Sequence, residues 1–521
     1  MKTTEMKFLI PANLDIDKLF KEHAEYLKHN HINKPKMLFI LDALVKSRAL
    51  NRKKMNKQDT VYTPLWATML DEVVHNYNKY LSFLVTEGIL ITDWFFLIGK
   101  KCRGYAFGEP YDVADLVEYT ETNHMLLKAI DRQKNKYDAE TNENMKGFEH
   151  LAEAWTSGKL SIDLANALEW IEADKQHKLS KLQTRKHWKR TIKKTKNAIS
   201  TAIDFKNIVN NINDKNYNYR ILGDGRRFYS NISNLKKGLR PFLSYDGKPL
   251  VEVDIKNSQP YLVIALFEKS FWANEENEKT ARLRLKDISS KLYNKVSKKK
   301  DIYCRIITLL KTLEDEPKVD LVKFKNLVLS GLFYEYILEV FQPLYGSRFS
   351  KRSPLVKKEV LRIFYSETKL HETDPFYAPC LTFKAHFPTV YELFTLIKEV
   401  QHNLLPLILQ RIESFLVLEQ ACKKLCGIHP GIAPFTIHDS ILVVEEYKTS
   451  VEDMLRSELK HWIGYPPRLG TECKQVIDTC TGETFESEKD AAINSNLKIE
   501  TLIRYLNSDD NPTCLQYLEA A

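Results

Sequence analysis

Two aspartates stand at points of the sequence where strands are expected to end or turn. Asp254 follows Val251 and Val253 in a stretch where apolar and polar residues alternate, and this period of two predicts a β-strand. Asp439 interrupts the apolar run 435–444, which predicts a hairpin with the carboxylate near its turn. Two carboxylates that meet across one sheet can hold a pair of divalent cations about 3.5–4 Å apart. These residues therefore indicate two-metal phosphoryl transfer.

Other residues with chemical potential each have a structural explanation as well. Aspartates at strand ends are common, and most have no catalytic role. Lys357 and Tyr365 lie eight residues apart in a stretch that opens with Ser353-Pro354, a signature of a helix start, but an ordinary amphipathic helix has the same spacing. His438 is equally consistent with a structural residue of the hairpin turn. The functional interpretation therefore depends on the set and its order along the chain.

The elements that must position these residues change in character along the chain. Up to about residue 200 the pattern predicts helices joined by polar loops, and from about Tyr219 strands, turns and short helices follow. The 521 residues suggest about three domains. We predict a mainly helical N-terminal domain (1–200), a core (201–465) and a small C-terminal module with a hairpin and a helix-turn-helix-like pair of helices (466–521).

The charge of the chain favours a polyanionic partner without requiring one. The formal net charge is +10 and the isoelectric point about 8.9. Ten lysines and arginines fall between Lys175 and Lys196, which predicts either a solvated helix face or a helix that follows phosphates. In contrast, residues 471–521 hold ten acidic against four basic side chains, which opposes phosphate contact. DNA binding by the C-terminal module and a packing or partner-binding role both stay open.

The cysteines and the apolar segments bear on the compartment. Eight cysteines show no regular framework, so we expect reduced thiols. The first residues lack the pattern of a signal peptide, and the most apolar run, 89–99, is too short to span a bilayer. We therefore expect a soluble intracellular protein with no membrane partner, cytoplasmic, or nuclear or virus-associated in a eukaryotic host.

The order Arg227, Asp254, Lys357 with Tyr365, and His438-Asp439 resembles the family A DNA polymerases and the related phage-type single-subunit RNA polymerases. In particular it resembles the compact polymerases of that superfamily carried by transposons and viruses. The resemblance covers about residues 219–462. It implies an α+β fold of the right-hand type, with an antiparallel palm sheet and helical fingers and thumb.

The resemblance also implies a role for each matched residue at the reaction centre. Asp254 and Asp439 would hold two Mg²⁺ ions, with Mn²⁺ as a substitute, and His438 pairs with Asp439 in the second catalytic motif. Lys357 would contact the phosphates of the incoming nucleotide, where an ammonium neutralises charge on the leaving pyrophosphate. Tyr365 would offer its ring to the new base pair.

Further matched positions concern nucleic acid and phosphate. Arg227 and Asn234 resemble the stretch ahead of the first catalytic strand, where the arginine lies near the primer terminus and the template backbone. Gln410 and Glu413, on the helix before Asp439, would face the template or primer. The family usually has an arginine four residues before the helix lysine, and this chain has serine there, so phosphate binding is assigned to Arg352, just outside the helix.

The sugar preference depends on the residue five positions after Asp254. DNA polymerases of the family carry a bulky acidic side chain there, which fills the space of a 2′-hydroxyl, and the RNA polymerases have glycine. Gln259 is long and nearly isosteric with glutamate, which predicts deoxynucleotide selection. Matching Ser258-Gln259 to the family's own Ser-Gln pair would move this gate to Tyr261, which is also bulky. Ser258, Gln259 and Tyr365 are therefore assigned to nucleotide binding.

The predicted function is template-directed nucleotidyl transfer by a DNA polymerase of a mobile element or virus, which extends a primer on a DNA template with dNTPs. One alternative is a DNA-directed RNA polymerase or primase on the same scaffold, which Gln259 opposes and Ser440 favours, because serine follows the aspartate in the RNA polymerases. A second alternative is a non-catalytic nucleic-acid-binding protein, which the intact set of matched residues opposes.

Overall fold

The protein mixes helices with antiparallel sheets, which confirms the predicted α+β class. The computed structural model describes residues 4–51, 62–97, 102–183, 188–273, 282–345, 355–366, 372–374 and 376–471, with shorter stretches between 476 and 517. The chain divides into two compact units. One comprises Met1–Asn144, Leu160–Asn218 and Asn234–Ser244, and the other Met145–Lys159, Tyr219–Ser233 and Tyr245–Ala521. The three domains predicted from the sequence stay a prediction, since these units follow different limits.

The first unit contains strands as well as helices, so the expectation of helices and loops alone up to residue 200 is wrong. Met6–Pro11 pairs antiparallel with Leu116–Glu121, and Gly104–Phe107 pairs with both Thr63–Pro64 and Leu90–Thr92. These strands have at most six residues, and their partners lie far away in sequence. The local alternation of polar and apolar residues is therefore too short to predict them. Its helices are Ile16–Glu22, Ala24–His29, Lys34–Asn51, Ala67–Val73, Tyr77–Thr86, His124–Asn144, Leu164–Gln183 and Trp188–Asn213, with short 3-10 helices at Tyr111–Val113 and Lys237–Phe242.

Most helices of the described chain belong to the second unit. They are Glu149–Thr156, Ser258–Val263, Lys269–Trp272, Leu285–Ile288, Ser290–Ser297, Lys300–Asp315, Val319–Ser330, Phe333–Tyr345, Leu355–Tyr365, Tyr377–His386, Pro388–Val400, Leu404–Ser414, Lys423–Ile428 and Lys448–Ile463, with 3-10 helices at Ile264–Phe267 and Glu445–Tyr447 and a π-helix at Phe415–Cys422. The short elements Leu160–Ile162, Asn231–Asn234 and Leu243–Tyr245 lie at or near the borders between the two units.

A central antiparallel sheet organises the second unit. The strand Lys248–Ile255, called here the Asp254 strand, pairs with Ser440–Val444, which in turn pairs with Phe435–Ile437. Leu469–Thr471 pairs with the end of the Asp254 strand. Val253 and Ile255 are buried on one face, while Glu252 and Asp254 point to the other, as the alternation of side chains in a strand requires.

Two helices of the second unit carry further residues of the predicted site. Leu355–Tyr365, called here the Lys357 helix, agrees with the helix predicted in this region, and the predicted start at Ser353-Pro354 lies outside the described residues. Leu404–Ser414, called here the Glu413 helix, runs on through the π-helix at Phe415–Cys422. Pi-helical turns inside longer helices often occur at functional sites.

The C-terminal segment forms a small sheet with its own core. Val476–Asp478 and Thr484–Phe485 form the predicted hairpin, and Leu515–Tyr517 adds a third strand. This pairing brings Cys480 and Cys514 together in a disulfide, with 5.6 Å between the Cα atoms. The expectation of reduced thiols is therefore wrong for this pair, because strand pairing rather than sequence spacing makes them neighbours. The two helices predicted here lie largely outside the described residues.

Within the described ranges, no single helix is long and apolar enough to cross a membrane. Val319–Ser330 and Phe333–Tyr345 together reach that length and composition, but they bend by 119° at the break between them.

Candidate active site

The two aspartates lie on neighbouring strands of the central sheet. Asp254 is the direct partner of Ser440 across the antiparallel pair, and Asp439 precedes Ser440 in the chain. Paired Cα atoms in such a ladder lie about 4.5–5.5 Å apart and consecutive ones about 3.8 Å, so the Cα atoms of Asp254 and Asp439 are within about 9 Å. This separation allows the two carboxylates to share one group of cations.

A tight hairpin presents Asp439. Ile437 pairs with Ser440, which leaves His438 and Asp439 as a two-residue loop, and His438 has a φ of 58°. A positive φ at the first loop residue is typical of the turns that match the twist of paired strands. The strands before and after this turn, Phe435–Ile437 and Ser440–Val444, are both buried. Their burial fixes the register of the hairpin, so His438 and Asp439 must form the turn.

The surroundings of Asp439 combine burial with positive charge. Burial raises the pKa of Asp439, and the charges of Lys357 and Arg227, together with the neighbouring Ser258 side chain, act in the opposite direction. Three separate segments therefore converge on this carboxylate. Burial disfavours the charged form of this carboxylate, and a bound cation would stabilise that form. The carboxylate oxygens of Asp254 and Asp439 are also the type of ligand that Mg²⁺ prefers.

The turn after the Asp254 strand places the predicted nucleotide-binding residues next to the aspartates. Asn257 has a φ of 53°, a left-handed conformation that asparagine tolerates better than most residues, and the helix Ser258–Val263 starts directly after it. Ser258 and Gln259, in the first turn of this helix, are both buried. The polypeptide thus passes within three residues from the Asp254 strand to the helix that carries the predicted nucleotide-binding residues.

Four side chains form one continuous chain of hydrogen bonds, called here the Gln259 network. The Tyr365 hydroxyl donates to Gln259 Oε1 at 2.9 Å, and Gln259 Nε2 donates to Glu413 Oε2 at 2.7 Å. The Arg227 guanidinium completes the network with an ion pair of 2.8 Å to the other oxygen of Glu413. The network joins the end of the Lys357 helix to the Glu413 helix and to the strand Arg227–Ser230.

Burial controls the charge states in this network. It raises the pKa of the Tyr365 phenol, which therefore stays protonated and acts as a donor. Burial also raises the pKa of Glu413 to about 7, against the opposing effect of the Arg227 guanidinium. For Arg227, burial is the largest effect and acts to lower the pKa, but the charge and hydrogen bond of Glu413 together with the neighbouring Tyr365 and Tyr229 outweigh it, so the pKa is raised. The guanidinium therefore stays charged.

Lys357 and Tyr365 sit differently on their shared helix. Lys357 is exposed in the first turn of the Lys357 helix, and its positive charge acts to lower the pKa of Asp439. Tyr365 closes the helix and is held by Gln259. The Lys398 ammonium, buried on the helix Pro388–Val400, donates to the Ile363 carbonyl at 2.7 Å and thereby binds an end carbonyl of the Lys357 helix.

The remaining predicted residues are Gln410, Asn234 and Arg352. Gln410, on the Glu413 helix, packs its Cβ against Gly225 in the turn of the hairpin that carries Arg227. Asn234 belongs to the other compact unit. Arg352 lies outside the described residues.

Two residues near the aspartates were not predicted from the sequence. Glu252 is buried on the same face as Asp254, and Ser440 donates a hydrogen bond of 2.5 Å to it. The alternation that marks Asp254 also points to Glu252, so a signal existed. Tyr334 is half-buried, and the burial of its phenol together with the charges of Asp439 and Asp254 raises its pKa. Tyr334 could not be predicted from residue spacing, because its helix, Phe333–Tyr345, lies far in sequence from the Asp254 strand and from the hairpin with Asp439.

A second group of donor atoms lies in the C-terminal segment. Asp478, Cys480 and Cys514 offer ligand atoms within 4.8 Å of one another, but the two sulfurs are joined in the disulfide. Sulfur ligands are unsuited to Mg²⁺, so this group has no bearing on the predicted cofactor.

The chain was compared with known families and proteins. It matches no protein-family model, and a search of curated proteins likewise finds no match.

Proposed function

We propose that the protein is a template-directed nucleotidyltransferase, a DNA polymerase that extends a primer on a DNA template with dNTPs. The observation that carries this proposal is the convergence of Asp254, Asp439, Lys357 and Tyr365 from three separate segments around one sheet end. The proposal includes a right-hand architecture, with the central sheet as palm and the Lys357 helix as part of the fingers. A mobile element or virus is the proposed source.

The aspartates supply the metal-binding part of the proposed mechanism. Asp254 and Asp439 would hold two Mg²⁺ ions, which when bound activate the attacking 3′-hydroxyl and stabilise the leaving oxygen. His438 supports this role by adopting the positive φ that the two-residue turn carrying Asp439 requires. Because the Lys357 ammonium is exposed and electrostatically coupled to Asp439, it is suited to bind the triphosphate.

The sugar preference is assigned to Gln259 rather than Tyr261. Gln259 contacts Tyr365, the residue proposed to pack under the new base pair, through a hydrogen bond of 2.9 Å. The Tyr261 hydroxyl instead donates to the Tyr465 carbonyl at 2.7 Å, and Tyr261 is only 1 % exposed. A side chain so enclosed is poorly placed to meet a ribose. Ser258, beside Asp439, completes the proposed nucleotide site.

The strongest rival is an RNA polymerase or primase on the same scaffold. Ser440, the residue that favours this rival, has a structural use, because its hydroxyl donates a hydrogen bond to the buried Glu252 carboxylate. Ser440 therefore needs no connection with the sugar of the substrate. A non-catalytic nucleic-acid-binding protein would have no need for two neighbouring carboxylates beside an exposed lysine.

Primer extension separates these three functions. The full-length protein is incubated with Mg²⁺ and a primed DNA template, with dNTPs in one series and rNTPs in the other. We expect extension with dNTPs at a kcat/KM well above that for rNTPs, and none by Asp439→Asn. Preferred extension with rNTPs would assign the RNA polymerase function, and binding of the template without extension by any nucleotide would contradict the proposal.

A further inference from the structure

The orientation of the Gln259 amide is set by one neighbour. A glutamine amide can turn over so that its oxygen and nitrogen exchange places, and both ends then look alike in shape. Here the nitrogen faces Glu413 at 2.7 Å and the oxygen faces Tyr365 at 2.9 Å. An ionised carboxylate only accepts hydrogen bonds, so it excludes the reversed amide. The Tyr365 hydroxyl can donate or accept, and therefore does not select between the two.

We infer that Glu413 is a specificity-determining positioning residue that holds Gln259 in one orientation and thereby sets the discrimination between deoxyribose and ribose. This inference rests on the proposed polymerase function. Glu413 is only 2 % exposed, and its carboxylate is occupied by Arg227 and Gln259, so it acts through Gln259 and does not contact the nucleotide.

A carboxylate at this position needs a specific reason, because burying it is unfavourable. Isolated buried charges are strongly disfavoured, and the Arg227 guanidinium offsets this only in part, since the pKa of Glu413 is still raised to about 7 by burial. A neutral glutamine of the same shape would avoid this burden. It would also offer both a donor and an acceptor, and would no longer select one orientation of the Gln259 amide.

The groups that face Glu413 also define its pH response. Arg227 and Gln259 favour the charged form, the Asp439 charge disfavours it, and Tyr365 is coupled to it through Gln259. Below about pH 7 the protonated carboxyl becomes a donor as well as an acceptor. The selection of one Gln259 orientation then weakens, so discrimination should fall as the pH falls through this value.

The test measures kcat/KM for one dNTP and the matching rNTP with the wild type and Glu413→Gln. We expect the ratio of the two values to fall at least about tenfold in the variant, because the site no longer enforces one set of hydrogen bonds. A merely structural role would lower both values together and leave the ratio unchanged. Such an unchanged ratio would overturn the inference.

Two comparisons make the result specific. Glu419→Gln changes a half-buried glutamate on the same helical segment, which is paired with Arg411 at 2.8 Å, and this variant should keep the wild-type ratio. Gln259→Ala should lower the ratio, and adding Glu413→Gln to it should lower it no further, because Glu413 acts through Gln259. An additional fall in the double variant would contradict the inference.

The wild type alone provides an independent readout that needs no variant to fold. Its ratio of kcat/KM for dNTP over rNTP should decrease as the pH is lowered from 8 to 6. A constant ratio across this range would contradict the proposed role of Glu413 in sugar selection. A wild type that extends primers with neither nucleotide would instead defeat the proposed function, and the inference with it. The two failures are therefore distinguishable.

Discussion

Gln259 is the residue on which the proposed nucleotide site depends most. Both ends of its amide are hydrogen-bonded, one to Tyr365 and one to Glu413, and the residue is 9 % exposed. Buried polar groups are stabilising only when they are satisfied, so each member of the Gln259 network constrains its neighbours. The residue combines the bulk needed to exclude a 2′-hydroxyl with a fixed direction for its polar atoms.

Replacing Gln259 by alanine tests this at the scale of one side chain. The change removes the bulk beside Tyr365 and leaves the space that a 2′-hydroxyl would need. We expect the ratio of kcat/KM for dNTP over rNTP to fall on the order of ten- to a hundredfold, while extension with dNTP persists. The measurement is single-nucleotide incorporation with each substrate. A folded Gln259→Ala protein with the wild-type ratio would remove this residue from sugar selection.

At the scale of elements, the site is built by a strand, a hairpin and two helices. The Asp254 strand and the His438-Asp439 turn could be predicted because each carries a local signal, alternation in the first and a polar break in the second. The Lys357 helix had a periodic pattern. The pairing of Arg227 with Glu413 could not be predicted, since 186 positions separate them and no local pattern records that these two side chains meet.

The hairpin that carries Arg227 is pressed against the Glu413 helix. A Cβ added at Gly225 would lie 2.8 Å from the Cβ of Gln410, which is close to the backbone and has little freedom to move. We expect Gly225→Ala to lower the free energy of unfolding by about 1–3 kcal/mol, as overpacking does, and to displace Arg227 from Glu413. Urea denaturation followed by circular dichroism measures the first effect.

Gly427→Ala provides the matched control for this substitution. Gly427 lies in the helix Lys423–Ile428, and a Cβ there would meet nothing within 4 Å. Because alanine is favoured over glycine in helices, this variant should be as stable as the wild type or more stable by about 0.4–1 kcal/mol. Equal stability of both variants would show that the hairpin can move away from the Glu413 helix without loss.

At the scale of the whole molecule, the chain is divided in a way that sequence order hides. Residues 145–159 and 219–233 belong to the second compact unit although segments of the first unit flank them. Composition changes and turn residues mark borders along the chain, but they do not record which distant segments pack together. For the same reason the disulfide between Cys480 and Cys514 could not be predicted, because it depends on the pairing of two strands that are distant in sequence.

The central claim is that Asp254 and Asp439 together perform nucleotidyl transfer. Its most direct test is the single-turnover rate of incorporating one dNMP into a primed DNA template with Mg²⁺, for the wild type, Asp254→Asn and Asp439→Asn. Asp246→Asn is the control, because this exposed turn residue has a φ of 52° that asparagine adopts readily. We predict a loss of at least about a hundredfold for each of the first two variants and a wild-type rate for the control. A wild type without incorporation, or a variant at Asp254 or Asp439 with full activity, would contradict the account.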